Sequence, residues 1–297
     1  MNRRKFIESA GLLSTLPFIP MGIVPSFETN SFKIGLQLYT VRDAMAKDPV
    51  ETLKSLQRMG YKDFESYGYD AVNKSYYGFS ATEFRSILDD LNLTTSSGHY
   101  GVNNLLEASD DKVNKYVDSC IEGALALEDS YIVFPILDQK YHSPAGYKLL
   151  VKKLNHIGKR IHHAGLGFAY HNFGYDFDTY DNRFGLDWVI EETNPEWVSL
   201  EVDFYWVMHA GKISPKELIK KAPGRFKLWH IKDMHKQSRD YTELGNGSID
   251  YTSVLPSTEM AGMENFFIEQ GGNFANNSMV SVEQSINYFK KNIKELK

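Results

Sequence analysis

Four side chains of metal-ligating type stand at the ends of short apolar runs. His171 follows Gly167-Phe168-Ala169-Tyr170, Asp203 follows Val198-Ser199-Leu200-Glu201-Val202, His230 follows Phe226-Lys227-Leu228-Trp229, and Glu269 follows Phe266-Phe267-Ile268. Two imidazoles and two carboxylates make a nitrogen and oxygen donor set that suits a divalent cation. The runs read as strands. In a closed parallel α/β barrel the strand C-termini open onto one face, so these four groups would meet there. One polar residue at a strand end needs no explanation, but four at matching positions imply a shared ion.

The elements that must position them alternate regularly. Strands are expected at Ile34–Tyr39, Asp63–Tyr67, Leu93–Ser97, Tyr131–Pro135, Gly167–His171, Val198–Asp203, Phe226–Lys232 and Asn265–Glu269, each a short apolar run of the kind buried parallel strands show. Helices are expected at Pro49–Met59, Ala81–Leu91, Asp110–Leu127, Gly146–Ala164, Leu186–Glu192, Pro215–Lys221, Tyr251–Ala261 and Ser281–Glu295. Gly60 and Gly165 follow two of them as helix-ending glycines, and Ser214-Pro215 opens another with a cap and a first-turn proline. Eight βα pairs predict an α/β fold, a (β/α)8 TIM barrel. A doubly wound open sheet is the alternative. It would bring a glycine-rich phosphate loop after its first strand, whereas here Gln37-Leu38-Tyr39-Thr40-Val41-Arg42-Asp43 follows. The loops after the fifth, seventh and eighth strands are long and rich in Gly, Asn and Asp, as substrate-contacting barrel loops are.

Composition narrows the class. The chain has 297 residues, 42% hydrophobic and 24% charged, enough for one barrel domain over residues 31–297. Its net charge of −5, without a basic run, argues against a nucleic-acid partner. Residues 1–30 read differently. Arg3-Arg4-Lys5-Phe6-Ile7 precedes a small and apolar run from Ala10 to Pro20, too short to span a membrane. The paired arginines resemble a twin-arginine export signal, which implies a periplasmic protein exported folded and without a membrane anchor after cleavage. Cys120 is the only cysteine, so no internal disulfide forms. It reads as a small buried hydrophobe.

Ile34-Gly35-Leu36-Gln37-Leu38-Tyr39-Thr40, Glu201-Val202-Asp203, His230-Ile231-Lys232-Asp233 and Phe267-Ile268-Glu269-Gln270 together resemble the xylose isomerase-like TIM barrel superfamily, the group of sugar phosphate isomerases and epimerases. The resemblance covers essentially everything after residue 30. It implies one divalent ion (manganese, cobalt, zinc or magnesium) held by Asp203, His230 and Glu269. The family's usual fifth-strand ligand is a glutamate, often followed by asparagine. This chain has His171-Asn172 there. A neutral imidazole still binds a metal, but the pair of carboxylates that moves protons across the substrate is no longer complete.

The implied reaction polarises a carbonyl and its neighbouring hydroxyl on the metal, so that a base forms a metal-stabilised enediolate from a small sugar or keto-sugar. Returning the proton gives isomerisation or epimerisation. Expelling a β-substituent, as from a 3-keto-glycoside, gives a lyase or dehydratase. Glu269 and Glu65 are the candidate bases, with His99 a lesser one. Glu65 reads equally as a barrel-mouth salt bridge. Lys232 points to the same side as His230, either to hold a substrate oxygen or to pair with Glu201 or Asp203. Glu201 is expected to orient a ligand or Lys232. His99, Asn172, Tyr39 and Trp206 are the candidate substrate contacts, Trp206 as a stacking wall or as core. An apurinic endonuclease and a non-catalytic sugar-binding barrel are the other classes, and a homo-oligomer is left open.

Overall fold

The computed structural model describes residues 32–293 and 296. The expected export segment, residues 1–30, lies outside the described residues. Eight parallel strands close into a barrel: Gly35–Gln37, Asp63–Tyr67, Thr94–His99, Tyr131–Phe134, Gly167–His171, Ser199–Asp203, Leu228–Ile231 and Asn265–Ile268. Each pairs with its sequence neighbours, and the eighth pairs with the first through Gly35 opposite Phe267. Closure leaves no unpaired edge.

The barrel helices start and stop where local chemistry dictates. Asp48 accepts a hydrogen bond from the Glu51 amide ahead of Pro49–Met59, and Gly60 ends that helix at φ 104°. Ser214 and Glu217 form a reciprocal capping box around Pro215–Lys221. Leu53 and Leu56, like Val282, Ile286 and Phe289 of the last helix (Ser278–Asn292), are buried against the sheet. Tyr61 ties the ends of the chain together, its hydroxyl donating to the Val282 carbonyl at 2.8 Å. Cys120 is buried in the helix Asp110–Leu127, as its sequence context implied.

One expected helix is absent as such. Tyr251–Ala261 is two single turns, Tyr251–Val254 and Thr258–Ala261. Pro256 is the reason: it excludes Leu255 from helical geometry (ψ 131°), and Ser257 then caps the second turn. Three small hairpins on the loops were also not foreseen. They pair Ser75–Tyr76 with Phe79–Ser80, Thr179–Tyr180 with Arg183–Phe184, and Asp233–Met234 with Tyr241–Thr242. Two of them turn on residue pairs with positive φ, Tyr77-Gly78 and Asp181-Asn182, the backbone geometry of tight two-residue hairpins.

Inside the barrel, Tyr131, Val133, Ala169, Leu228 and Phe267 form an apolar cluster separate from the core between sheet and helices. Strand side chains two apart share a face. His171, His230 and Glu269 therefore stand one layer above Ala169, Leu228 and Phe267, towards the C-terminal mouth.

Candidate metal centre

His171, Asp203, His230 and Glu269 converge, with one ligand atom from each within 4.8 Å of all the others. His230 Nδ1 lies 2.7 Å from Glu269 Oε2 and 3.2 Å from His171 Nε2, and His171 Nε2 lies 3.6 Å from Asp203 Oδ2. Ligand atoms about 2.1 Å from one tetrahedral cation sit about 3.4 Å apart, so the 3.2 and 3.6 Å separations match a shared ion, while the 2.7 Å His230–Glu269 contact is a hydrogen-bond distance that an ion would widen. Asp203 is braced from behind: its Oδ1 accepts from the Tyr205 amide at 2.9 Å, and its own amide donates to Asn172 Oδ1 at 3.0 Å.

The other edge of His230 explains why Nδ1 faces the quartet. Nε2 donates to Glu65 Oε2 at 2.6 Å and lies 3.3 Å from Glu201 Oε1. A carboxylate on one imidazole nitrogen fixes the tautomer that presents the other to a metal. Glu65 is itself held by Gln37 Nε2 at 2.7 Å and Ser97 Oγ at 2.6 Å, its neighbours in strand register. It is completely buried and does not line the mouth cavity. Glu65 therefore orients His230 in this geometry and has no open path to a substrate proton. Glu201 behaves as expected towards a ligand, His230, but its second partner is His99 at 2.9 Å, not Lys232.

Lys232 Nζ bridges Asp203 Oδ2 at 2.7 Å and Glu269 Oε2 at 2.8 Å. Of its expected partners Asp203 is present and Glu201 is not, and Lys232 also lines the mouth cavity. Asp233, next in the chain, is structural. Its carboxylate accepts from the amides of Met234, Gly245, Gly247 and Ile249 and so shapes the loop over the seventh strand. A Cβ at Gly247 would overlap that carboxylate, so only glycine fits.

Charge is the dominant physical feature. Four buried carboxylates, Glu65, Glu201, Asp203 and Glu269, face one fixed cation, Lys232. Unbalanced buried charge costs several kcal/mol per ion, so the cluster recruits positive charge. Burial opposes it, yet Glu201, Glu269 and Glu65 hold the His230 pKa well above its ordinary value. His99 is raised to about 9, burial being outweighed by Glu65 and Glu201. Burial also works against ionising Glu269 and Asp203, but Lys232 keeps both below the usual carboxylate range. His171 goes the other way: burial lowers its pKa, leaving a neutral imidazole suited to a metal. A divalent cation in the quartet supplies the charge that protons on the imidazoles otherwise provide, and the residues present fit one.

The family model of the xylose isomerase-like TIM barrel matches residues 53–291. The chain belongs to that family. No curated protein matches the sequence. Among solved structures, a sugar phosphate isomerase/epimerase from Parabacteroides distasonis ATCC 8503 superposes with a TM-score of 0.77 at 23% identity, covering 94% of this chain and 100% of that one. The probable 3-DHS dehydratase AsbF of petrobactin synthesis from Bacillus anthracis gives 0.66 at 12% identity, covering 87% and 98%. A xylose isomerase-like TIM barrel protein from Mycobacterium smegmatis in complex with magnesium gives 0.64 at 14%, covering 90% and 98%. At these identities the likeness is one of fold.

Above the quartet this xylose isomerase-like barrel opens into a cavity of about 520 Å³. Of the expected substrate contacts, Tyr39 and His99 line it. Asn172 does not; it is buried and spent on the Asp203 backbone. Trp206 is not on the lining either. It packs behind Phe173 and Tyr241, which are, at ring separations of 5.1 and 6.2 Å. Phe173, Tyr241 and Ile136 are further wall residues, from loops whose path the sequence pattern does not give, and Tyr67, at the end of the second strand, is a fourth.

Proposed function

We infer that the protein is a divalent-metal-dependent enzyme that removes a proton beside the carbonyl of a small sugar or keto-sugar. The observation carrying this reading is the convergence of His171, Asp203, His230 and Glu269 beneath the mouth cavity. A bound magnesium, manganese, cobalt or zinc ion would act there as a Lewis acid on adjacent substrate oxygens. Among the described residues Glu269 is the only carboxylate lining the cavity, which makes it the base in this reading. Lys232, beside Glu269, holds a substrate oxygen. His99, anchored through Nε2 by Glu201 and Glu65, presents its other edge to the cavity as a donor. Returning the proton makes the enzyme an isomerase or epimerase, the activity named for its relative from P. distasonis.

A specific feature favours elimination as the second reading. With His171 in place of the fifth-strand glutamate, the cavity offers one carboxylate base and two cationic donors, Lys232 and His99. One base and one acid are what loss of a β-substituent requires. Phosphate is disfavoured as a substrate group, because among the described residues Lys232 is the only Lys or Arg lining the cavity and it is already paired twice. The net charge of −5, without a basic run, disfavours a nucleic-acid substrate. Export through the twin-arginine route to the periplasm, read from Arg3-Arg4, accords with metal loading before translocation.

The test is to incubate metal-loaded protein with ketoses and 3-keto-glycosides in deuterium oxide. Deuterium in recovered sugar supports isomerisation or epimerisation, and release of the aglycone supports elimination. Neither product from a protein shown to hold its ion overturns the reading. A folded protein that takes up no divalent ion on titration is a binding barrel instead.

A further inference from the structure

Next to the mouth cavity lies a second one of about 660 Å³, reached past Tyr67 and Gly68, which line both. Its other walls include Asp70, Asn73, Ser75 and Tyr77, from the loop and hairpin after the second strand. The function inferred above makes no use of it. We propose that this outer cavity is a binding subsite for a second, uncharged sugar ring, so that the substrate is a disaccharide or a glycoside with a sugar aglycone. The proposal rests on the sugar reading of the metal centre.

Three observations carry it. First, the two cavities share a continuous aromatic wall. Tyr39 in the mouth, Tyr67 at the divide and Tyr77 in the outer cavity pack edge to face in series, each step 5.4 Å between ring centroids. The wall is fixed at both ends: Arg42 lies 4.3 Å over the Tyr39 ring, and the Tyr77 hydroxyl accepts from the Tyr67 amide at 2.9 Å. Aromatic faces bounded by polar groups match the alternation of C–H faces and hydroxyl edges on a sugar.

Second, the divide between the cavities carries little bulk at Gly68, which lines both. Gly68 has φ +70°, and a Cβ placed there would meet no atom within 4 Å. Bulk at this position is thus disfavoured by backbone conformation and not by packing.

Third, the outer cavity has the polarity of a hydroxyl-binding surface. Among the described residues Asp70 is its only charged lining residue, and two backbone amides, of Val72 and Asn73, together with the Asn73 side chain, hold that carboxylate in place. Lys74 beside it is turned away, paired with Glu122 at 2.5 Å. A lone carboxylate accepts from sugar hydroxyls and repels a phosphate or another acid.

The experiment measures binding of D-glucose and of its disaccharides cellobiose, laminaribiose, sophorose, gentiobiose and maltose to the magnesium-loaded protein by calorimetry and saturation-transfer NMR. Ser75→Trp and Asn73→Trp, each checked for a native melting transition, fill the outer cavity without touching the metal quartet. At least one disaccharide is expected to bind about ten-fold tighter than glucose, the worth of one or two added hydrogen bonds. Either substitution should bring that disaccharide down to the glucose value and leave glucose unchanged. Disaccharides no tighter than glucose overturn the subsite and spare the mouth reading. A preference that both tryptophans leave intact places the second ring elsewhere and also overturns it. Absence of binding by every sugar overturns this proposal and the sugar reading together.

Discussion

At the scale of single residues, His230 is the junction of the site. One nitrogen faces His171 and Glu269, and the other is held by Glu65, so two layers of polar residues meet on one ring. The outer layer sets how well the inner one binds. Changing Glu65→Gln keeps the volume but removes the charge that selects the His230 tautomer. The dissociation constant for manganese or zinc, measured by competition with a chromogenic chelator, is expected to rise about 10- to 100-fold, the usual worth of such a supporting carboxylate. An unchanged constant would mean that Glu65 contributes only packing. The run His230-Ile231-Lys232-Asp233 packs four jobs into four residues: a candidate ligand, a core residue, the cation bridging two carboxylates, and the acceptor that shapes the next loop.

Among elements, the strands were legible and the loops were not. Strand ends bearing His171, Asp203, His230 and Glu269 could be placed because buried parallel strands are short apolar runs whose last polar residue marks the mouth. The register joining Gln37, Glu65 and Ser97 was invisible, since one sequence gives strand positions without their lateral offsets. The turn at Pro256 and the pairs Tyr77-Gly78 and Asp181-Asn182 carried local signals that the helix and loop readings passed over. The opposite, N-terminal rim of the barrel holds Asp129, buried ahead of the fourth strand with the Thr95 hydroxyl as its one weak partner. Burial pushes its pKa up to about 8. A raised carboxylate contributes stability while protonated and loses it as pH rises through the folded value. Asp129→Asn should therefore stabilise the barrel by roughly 1–3 kcal/mol at pH 8 and by little at pH 4, read from urea unfolding. Equal effects at both pH values would show that the gain is not one of charge.

For the whole molecule, the candidate metal centre is expected to couple folding to pH through its charge balance. With the ion removed by chelation, the four carboxylates rely on Lys232 and on protons carried by His230 and His99. Both imidazoles have raised pKa values in the fold, His99 at about 9. Their contribution is complete below the unfolded histidine value of about 6.5 and is lost as pH climbs through the folded values. With the ion bound, that charge no longer depends on a proton at His230 Nδ1, and loading itself releases a proton, so affinity rises with pH. Asp63 and Asp129, raised to about 6 and about 8, titrate in both forms and cancel from the comparison. Ion at 100 times its dissociation constant adds about 2.7 kcal/mol, and each kcal/mol moves the midpoint of a domain this size by about 2–4 °C. The melting temperature with manganese should therefore exceed that with chelator by roughly 5–10 °C near neutrality, and the gap should widen between pH 6 and pH 8.5. A gap that narrows over that range would mean the imidazoles are not the groups the ion relieves, and that the positive charge enters the barrel by another route.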